Sequence, residues 1–241
     1  MRIPRIYHPT PLRVGEKATL SAEATQHVKH VLRLKIGHML TIFSGDGSES
    51  VVKIVEIQKT VIVEVQSHDY HCIESPQIIY LWQGICRGER MDWIIQKATE
   101  LGIHTIIPVL TERSIVRLDV TRTKKRQDHW ERVVISACEQ CGRNRLPTLL
   151  TPMMLSEMLT LDTPGLMMDP TATCTLRNFN LSVENKTIHL FVGPEGGISS
   201  EEKNWLQTKN FQPIQMGPRI LRTETAALTA IALIQSRWGD L

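Results

Sequence analysis

Along residues 1–72 the apolar positions fall in short runs rich in β-branched side chains, at Met39–Phe43, Val51–Ile57 and Thr60–Val65. Runs of that length and composition predict strands. Gly45, Asp46 and Gly47 make a turn signal between the first two. One short helix fits Glu23–Leu34, and several short strands in so small a span point to a small barrel. A polar stretch from Ser67 to Glu74 then leads to Ser75 and Pro76, a boundary signal that separates residues 1–72 from 76–241.

Beyond this boundary strand and helix patterns alternate. Ile78–Cys86 reads as a strand, and Arg90–Leu101 as a helix with Met91, Ile94, Ile95, Ala98 and Leu101 on one face. Gly102 stops that helix, and Ile103–Leu110 is the next strand. A longer helix spans about Lys124–Cys141, with Trp130, Val133, Val134, Ala137 and Cys141 at helical spacing. Leu166–Asp169, Ile188–Val192 and Phe211–Met216 are further strands, and Ser199–Lys209 and Glu224–Trp238 the last helices. Such alternation predicts an α/β fold with a mostly parallel sheet covered by helices. Residues 151–185 are the least informative part. The last helix is apolar almost all round from Ala226 to Ile234, so it needs burial on two sides. Its own sheet plus a partner subunit, or one large core, would both supply that.

Two loops carry the candidate chemistry. The first follows the strand Ile188–Val192 and reads Gly193, Pro194, Glu195, Gly196, Gly197, Ile198. Ser199 and Glu202 then fit a capping box at a helix start. A glycine-marked turn between a strand and a helix is where open α/β sheets bind ligands. It lacks the glycine spacing of a dinucleotide fingerprint and the Lys of a P-loop. The second loop follows Phe211–Met216 and reads Gly217, Pro218, Arg219, Ile220, Leu221, Arg222. Thr223 is placed as an N-cap, and Glu224 complements the first turn.

The net charge of +3 is too small to name a partner, but its distribution is uneven. Residues 111–145 hold nine Lys or Arg against five Asp or Glu, enough to attract phosphates or simply to solvate a helix face. The N-terminal residues show no apolar run like that of a signal peptide, and no stretch is long enough to cross a bilayer. A soluble protein of the cytoplasm is expected, with no membrane partner. The five cysteines are expected as free thiols. Cys138 and Cys141 have redox or zinc spacing but end a helical pattern and lack further ligands nearby, so no metal is expected.

The loops Gly193–Gly197 and Gly217–Ala226, in this order near the C-terminus, resemble those of the RsmE family of 16S ribosomal RNA uracil-N3 methyltransferases, in the SPOUT superfamily. The resemblance extends to Met1–Tyr7, Arg87–Met91, Gln96–Gly102 and Ala137–Asn144. It implies a PUA-like β-barrel over 1–72 that binds RNA, and a SPOUT methyltransferase domain over 76–241 with a deep trefoil knot, an exception to the rule against knots. It implies S-adenosylmethionine as the cofactor, held by Val192, Gly193, Pro194, Glu195, Gly196 and Gly197. The second knot loop would add Met216, Gly217, Ile220, Leu221, Arg222, Thr223, Thr225 and Ala226. A homodimer is also implied, acting on 16S ribosomal RNA within the small ribosomal subunit.

Uracil N3 must lose its proton before it attacks a methyl group, which calls for a base or for positive charge beside the anion. Glu139 is the candidate base, with a helix-end ion pair to Arg143 as its other reading. Arg222 and Arg143 are candidates for stabilising the anion. Arg2, Arg5, Arg33 and Lys35 are candidate RNA contacts, joined by Gln140 and Asn144. Two other readings stay open: a SPOUT enzyme acting on transfer RNA at a ribose hydroxyl, and a ribosome-assembly factor that has lost catalysis.

Overall fold

A computed structural model describes residues 3–114, 120–179 and 186–241. The chain divides into two compact units. The first takes Met1–Glu74 together with Ile135–Leu146, and the second takes Ser75–Val134 with Pro147–Leu241.

In the first unit, β1 (Arg5–Tyr7), β2 (Lys17–Thr19), β3 (Met39–Phe43), β4 (Ser48–Ile57) and β5 (Val61–Tyr70) form one sheet in the order β1-β3-β4-β5-β2. Only the β1–β3 pair is parallel. Val61, Val63 and Val65 of β5 are buried while Ile62 and Glu64 are partly exposed, the two-residue alternation of a half-buried strand. They join Ile6, Leu20, Leu40, Ile42, Val52 and Ile54 in the core of the unit.

The helix expected over Glu23–Leu34 is shorter and changes pitch. Helix α1 (Ala22–Gln26) starts at Ser21, whose hydroxyl accepts from Ala24 N, and widens into a π-helical turn over His27–Val31. Leu34 N then donates back to Val28 O across Arg33, which sits at φ 50°. That six-residue closure around a left-handed residue ends a helix, here with Arg where Gly is usual.

The second unit holds β6 (Ile78–Gly84), α2 (Glu89–Glu100), β7 (Thr105–Leu110) and the start of α3 (Val120–Cys141). There follow β8 (Thr148–Leu149), β9 (Met153–Met154), β10 (Gly165–Met168), β11 (Thr187–Val192), α4 (Ser200–Thr208), β12 (Phe211–Ile214) and α5 (Thr223–Trp238). The sheet runs β12-β10-β11-β6-β7-β8, with β9 also on β7, and every pair is parallel. Its central strands β6, β7 and β11 are mostly apolar, as strands covered on both faces are. Met91, Ile94, Ile95 and Ala98 of α2 are buried as their spacing predicts, and α2 packs on α5.

Gln235, the first polar residue after the apolar run of α5, is fully buried. Its Nε2 donates to Leu101 O (2.9 Å) and its Oε1 accepts from Ser75 Oγ (2.6 Å), so it satisfies the end of α2 rather than facing water. No helix among the described residues is long and apolar enough to cross a membrane.

Candidate functional site

The segments that leave the carboxyl ends of β10, β11 and β12 surround a cavity of about 670 Å³ in the second unit. That volume suits a small ligand, and the carboxyl end of a parallel sheet is where such folds bind one. Of the candidate residues, Val192, Gly193, Pro194, Glu195 and Gly197 line it from the first loop. Met216, Gly217, Ile220, Leu221, Arg222, Thr223 and Ala226 line it from the second. Gly196 and Thr225 belong to the same loops but are not on the wall.

The path of the first loop follows from two glycines and a cap. Gly84, at the end of β6, has Pro194 against it so closely that a Cβ there would meet Pro194 N and Cδ at 2.5 Å. Gly197 adopts φ 67° as its N–H closes a turn onto Pro194 O (2.9 Å). Ser199 then caps α4 as expected: its hydroxyl accepts from Glu202 N, and Glu202 accepts from Ser199 N. The other oxygen of Glu202 accepts from Glu112 N (2.7 Å), and Arg113 donates to Gly196 O (3.3 Å).

The second loop is fastened to the first. Thr223 was expected as the N-cap of α5, but Arg222 takes that place with extended backbone, and Thr223 is the first helical residue. The Thr223 hydroxyl is used elsewhere: it donates to Gly193 O (2.6 Å) and accepts from Gln83 Nε2 (3.0 Å). Gln83 is fully buried and also donates to Gly84 O (3.0 Å) and Val192 O (3.4 Å). One amide therefore holds the ends of β6 and β11 and the start of α5 together. Nothing in the motifs singled out Gln83. The available signal was a polar residue inside the apolar run Ile78–Cys86.

Charged groups surround the cavity in pairs. Glu195 accepts from Arg87 N (3.0 Å) and from Arg90 Nη1 (2.7 Å). Burial works against its ionised form, but these donors and the Arg90 charge hold its carboxyl below the ordinary range. At the other end Asp169 pairs with Lys203 and accepts from Thr171 N (2.8 Å) and Oγ1 (2.7 Å). Its carboxyl is likewise lowered, with burial outweighed by Lys203 and Thr171. The Oε2 atom of Glu224, on the cavity wall, is buried with no hydrogen-bond partner among the described residues. Arg90, Asp169, Thr171, Lys203 and Glu224 all line the cavity and were outside the candidate set.

The remaining candidates lie in the first unit. Glu139 Oε1 accepts from Tyr7 N (3.0 Å), and burial raises its carboxyl above the usual range. Arg143 is buried and pairs through two nitrogens with Glu74. Asn144 is buried as well, accepting from Arg5 and donating to His71 O (3.0 Å). Arg5 also pairs with Glu49 (2.6 Å) and lies over the Phe43 ring. Gln140, Arg33 and Lys35 are exposed, and Arg2 lies outside the described residues. Cys138 is buried, which pushes its thiol up to about 12, while Cys141 is half-buried. Among the described residues no group of three or more His, Cys, Asp or Glu is placed to hold a metal.

Comparison with known proteins agrees with this geometry. A family model for an RNA methyltransferase domain matches residues 73–235, and one for an RNA methyltransferase PUA domain matches 20–66. A ribosomal RNA small subunit methyltransferase E of Buchnera aphidicola is 36% identical over 100% of this chain and 98% of its own. The protein of that name from Bacillus subtilis is 30% identical over 93% of each. Among solved structures, a methyltransferase of Legionella pneumophila in complex with bound SAM is 40% identical, with a TM-score of 0.95 over 100% of both chains. A ribosomal RNA small subunit methyltransferase E of Neisseria gonorrhoeae bound to S-adenosyl methionine is 37% identical, with a TM-score of 0.91 over the same full span.

Proposed function

Since the chain belongs to the ribosomal RNA small subunit methyltransferase E family, we propose that it methylates N3 of a specific uridine in 16S ribosomal RNA, with S-adenosylmethionine as donor. The observation that carries this reading is the cavity at the carboxyl ends of β10, β11 and β12, lined by both glycine-marked loops. The residues present fit the cofactor. Apolar Val192, Ile198, Leu221 and Ala226 offer a wall for its rings and chain, and the orphaned Oε2 of Glu224 is an acceptor for one of its donors. The loops that would hold it are Val192–Gly197 and Met216–Ala226, of which all the candidates but Gly196 and Thr225 line the cavity.

When bound, S-adenosylmethionine supplies a methyl group already activated on a sulfonium, so the protein works mainly on the acceptor. Uracil N3 is a protonated imide at neutral pH, and Glu139 is the proposed base. The burial that raises its carboxyl above the ordinary range moves it toward the pH at which a base is most effective. Arg222, exposed at the cavity, offers positive charge to the imide anion. Arg143, the other proposed source of positive charge, is held by Glu74 and fixes the end of α3 that carries Glu139. Arg2, Arg5, Arg33, Lys35 and Gln140 are the proposed RNA contacts, whereas Asn144, the sixth candidate, is buried and committed to Arg5 and His71. N3 lies on the pairing edge, so the uridine must leave its stack to react, and a folded small ribosomal subunit is the proposed substrate.

Two structural readings belong with this function. After β12, at the edge of the sheet, the chain returns to place α5 against β6, β11 and α2, its first residue bonded to Gly193. This return supports a SPOUT-type deep trefoil knot in the methyltransferase domain beside the PUA-like domain. The apolar side chains of Leu233 on α5 and Trp93 on α2, 45% and 57% exposed, support a homodimer. A ribosomal RNA substrate supports a cytoplasmic location for the enzyme.

The test is to incubate the protein with methyl-labelled S-adenosylmethionine and unmodified small ribosomal subunits, then identify the labelled nucleoside. Label in 3-methyluridine from 16S RNA is the expected result. Label in a ribose-methylated nucleoside would replace the uracil assignment, and no label from folded protein would favour an assembly factor.

A further inference from the structure

Tyr70, the last residue of β5, is 58% exposed, yet two contacts fix its ring. The hydroxyl end lies across Gly47, where a Cβ would meet the hydroxyl oxygen at 2.9 Å and two ring carbons at 3.0 Å. Gly47 also holds φ 101°, so both the close approach and the backbone require glycine there. Arg145 donates to the hydroxyl oxygen. The exposed side of the ring walls a concavity of about 550 Å³ within the first unit, together with Arg13, Val14, Asp46 and His68. This concavity shares no residue with the cavity in the second unit.

A rigid aromatic ring with its exposed side in a concave surface is a platform for a flat ligand, because holding it costs no further side-chain ordering. The charges around it indicate which part of a nucleotide it takes. Asp46 is locked in the wall by Ser48 N (2.9 Å) and Ser48 Oγ (2.7 Å), and the Ser48 donors hold its carboxyl in the anionic form. An anion there repels a phosphate but accepts from the N–H groups of a base. His68, bonded through Nδ1 to Ser50 Oγ (3.0 Å), adds a second polar group suited to a base edge. Arg13 and Arg145 are exposed, where they can meet phosphates on either side.

We propose that this concavity holds one unpaired nucleobase of the RNA substrate, stacked on Tyr70, other than the base that is methylated. The proposal rests on the RNA-methyltransferase reading and adds a second point at which a single-stranded part of the RNA is gripped.

The test is steady-state methylation of unmodified small ribosomal subunits by wild type, Tyr70→Ala and Tyr70→Phe, with S-adenosylhomocysteine affinity and melting temperature measured alongside. Loss of one stacked base predicts a KM for the subunits raised about ten-fold in Tyr70→Ala. Its kcat and cofactor affinity stay within about two-fold, since Tyr70 is not among the residues that line the cofactor cavity. Tyr70→Phe keeps the ring and stays near wild type, and it decides the matter if Tyr70→Ala melts early. Equal KM values for Tyr70→Ala and wild type overturn the platform. So does a Tyr70→Phe variant as impaired as Tyr70→Ala, which would assign the effect to the Arg145 bond. If wild type fails to methylate the subunits, the methyltransferase reading itself falls and takes this ligand with it.

Discussion

The Thr223 hydroxyl donates to the Gly193 carbonyl at 2.6 Å, so one hydrogen bond joins two loops that lie thirty residues apart in the chain. Gln83 donates to the same hydroxyl from the end of β6. Thr223→Val removes the donor to the Gly193 carbonyl and the acceptor for Gln83 Nε2, a loss on the order of 1–3 kcal/mol. Binding of S-adenosylhomocysteine, measured by calorimetry, should weaken about ten-fold in this variant and little in Thr223→Ser. An unchanged affinity in Thr223→Val would show that the clasp does not shape the site.

Gly84 controls the same region through space rather than hydrogen bonding. A methyl group there meets Pro194 at 2.5 Å, and neither the β6 backbone nor the proline ring can yield cheaply. Gly84→Ala should cost about 1–3 kcal/mol as an overpacked contact. In a chain of this size that lowers the melting temperature by about 2–12 °C. Saturating cofactor should recover less of the loss than it adds to wild type, because the displaced loop is its binding surface. A melting temperature equal to that of wild type would refute the contact.

His189 gives the second unit a defined response to acid. Its ring stacks on Tyr80, with centroids 4.8 Å apart, and its Nδ1 accepts from Trp82 Nε1 (3.1 Å). The indole N–H can only donate, so that nitrogen must be unprotonated. Burial lowers the pKa from 6.5 to about 4. Between those values the unfolded chain binds a proton that the folded chain refuses, so stability falls as pH drops through this window. Denaturant midpoints measured from pH 7 to pH 4 should show a steeper decline in wild type than in His189→Phe. Parallel declines would mean that other groups set the acid response.

Glu139→Gln keeps the acceptor for Tyr7 N but removes the carboxylate. Under single-turnover conditions its methylation rate should fall about 100-fold, the lower range for loss of a general base. In wild type the rate should decline on acidification at a higher pH than an ordinary carboxyl would give, because burial raises this one. A Gln variant as fast as wild type would remove Glu139 from the chemistry.

The parts of the molecule that were legible in the sequence are those whose cause is local. The capping box at Ser199 and Glu202 needs only residues three apart, and it forms as read. The spacing of Met91, Ile94, Ile95 and Ala98 fixes the buried face of α2 without knowledge of what covers it. Thr223 was misplaced by one position because its hydroxyl answers to Gly193 and Gln83 rather than to its own helix. Arg90 and Glu195 lie 105 residues apart, and no periodicity links them. The strand expected over Leu166–Asp169 forms over Gly165–Met168, between β11 and β12, because its apolar run is itself a local signal. The helix from Glu23 was read as regular because nothing in Arg33 announces a left-handed backbone.

Helix α3 begins in one compact unit and ends in the other, so the first unit is not a continuous piece of chain. Its Glu74 is paired by Arg143 and its Arg5 by Asn144, both supplied by the segment Ile135–Leu146. A nascent chain that has just emerged through Glu74 can pair Arg5 with Glu49 but lacks Arg143 for Glu74 and Asn144 for Arg5. At roughly 5–20 residues per second, synthesis needs several more seconds to deliver them. The N-terminal unit is thus completed only after much of the following unit has been translated, and a gene fragment that stops at the sequence boundary encodes an unfinished domain.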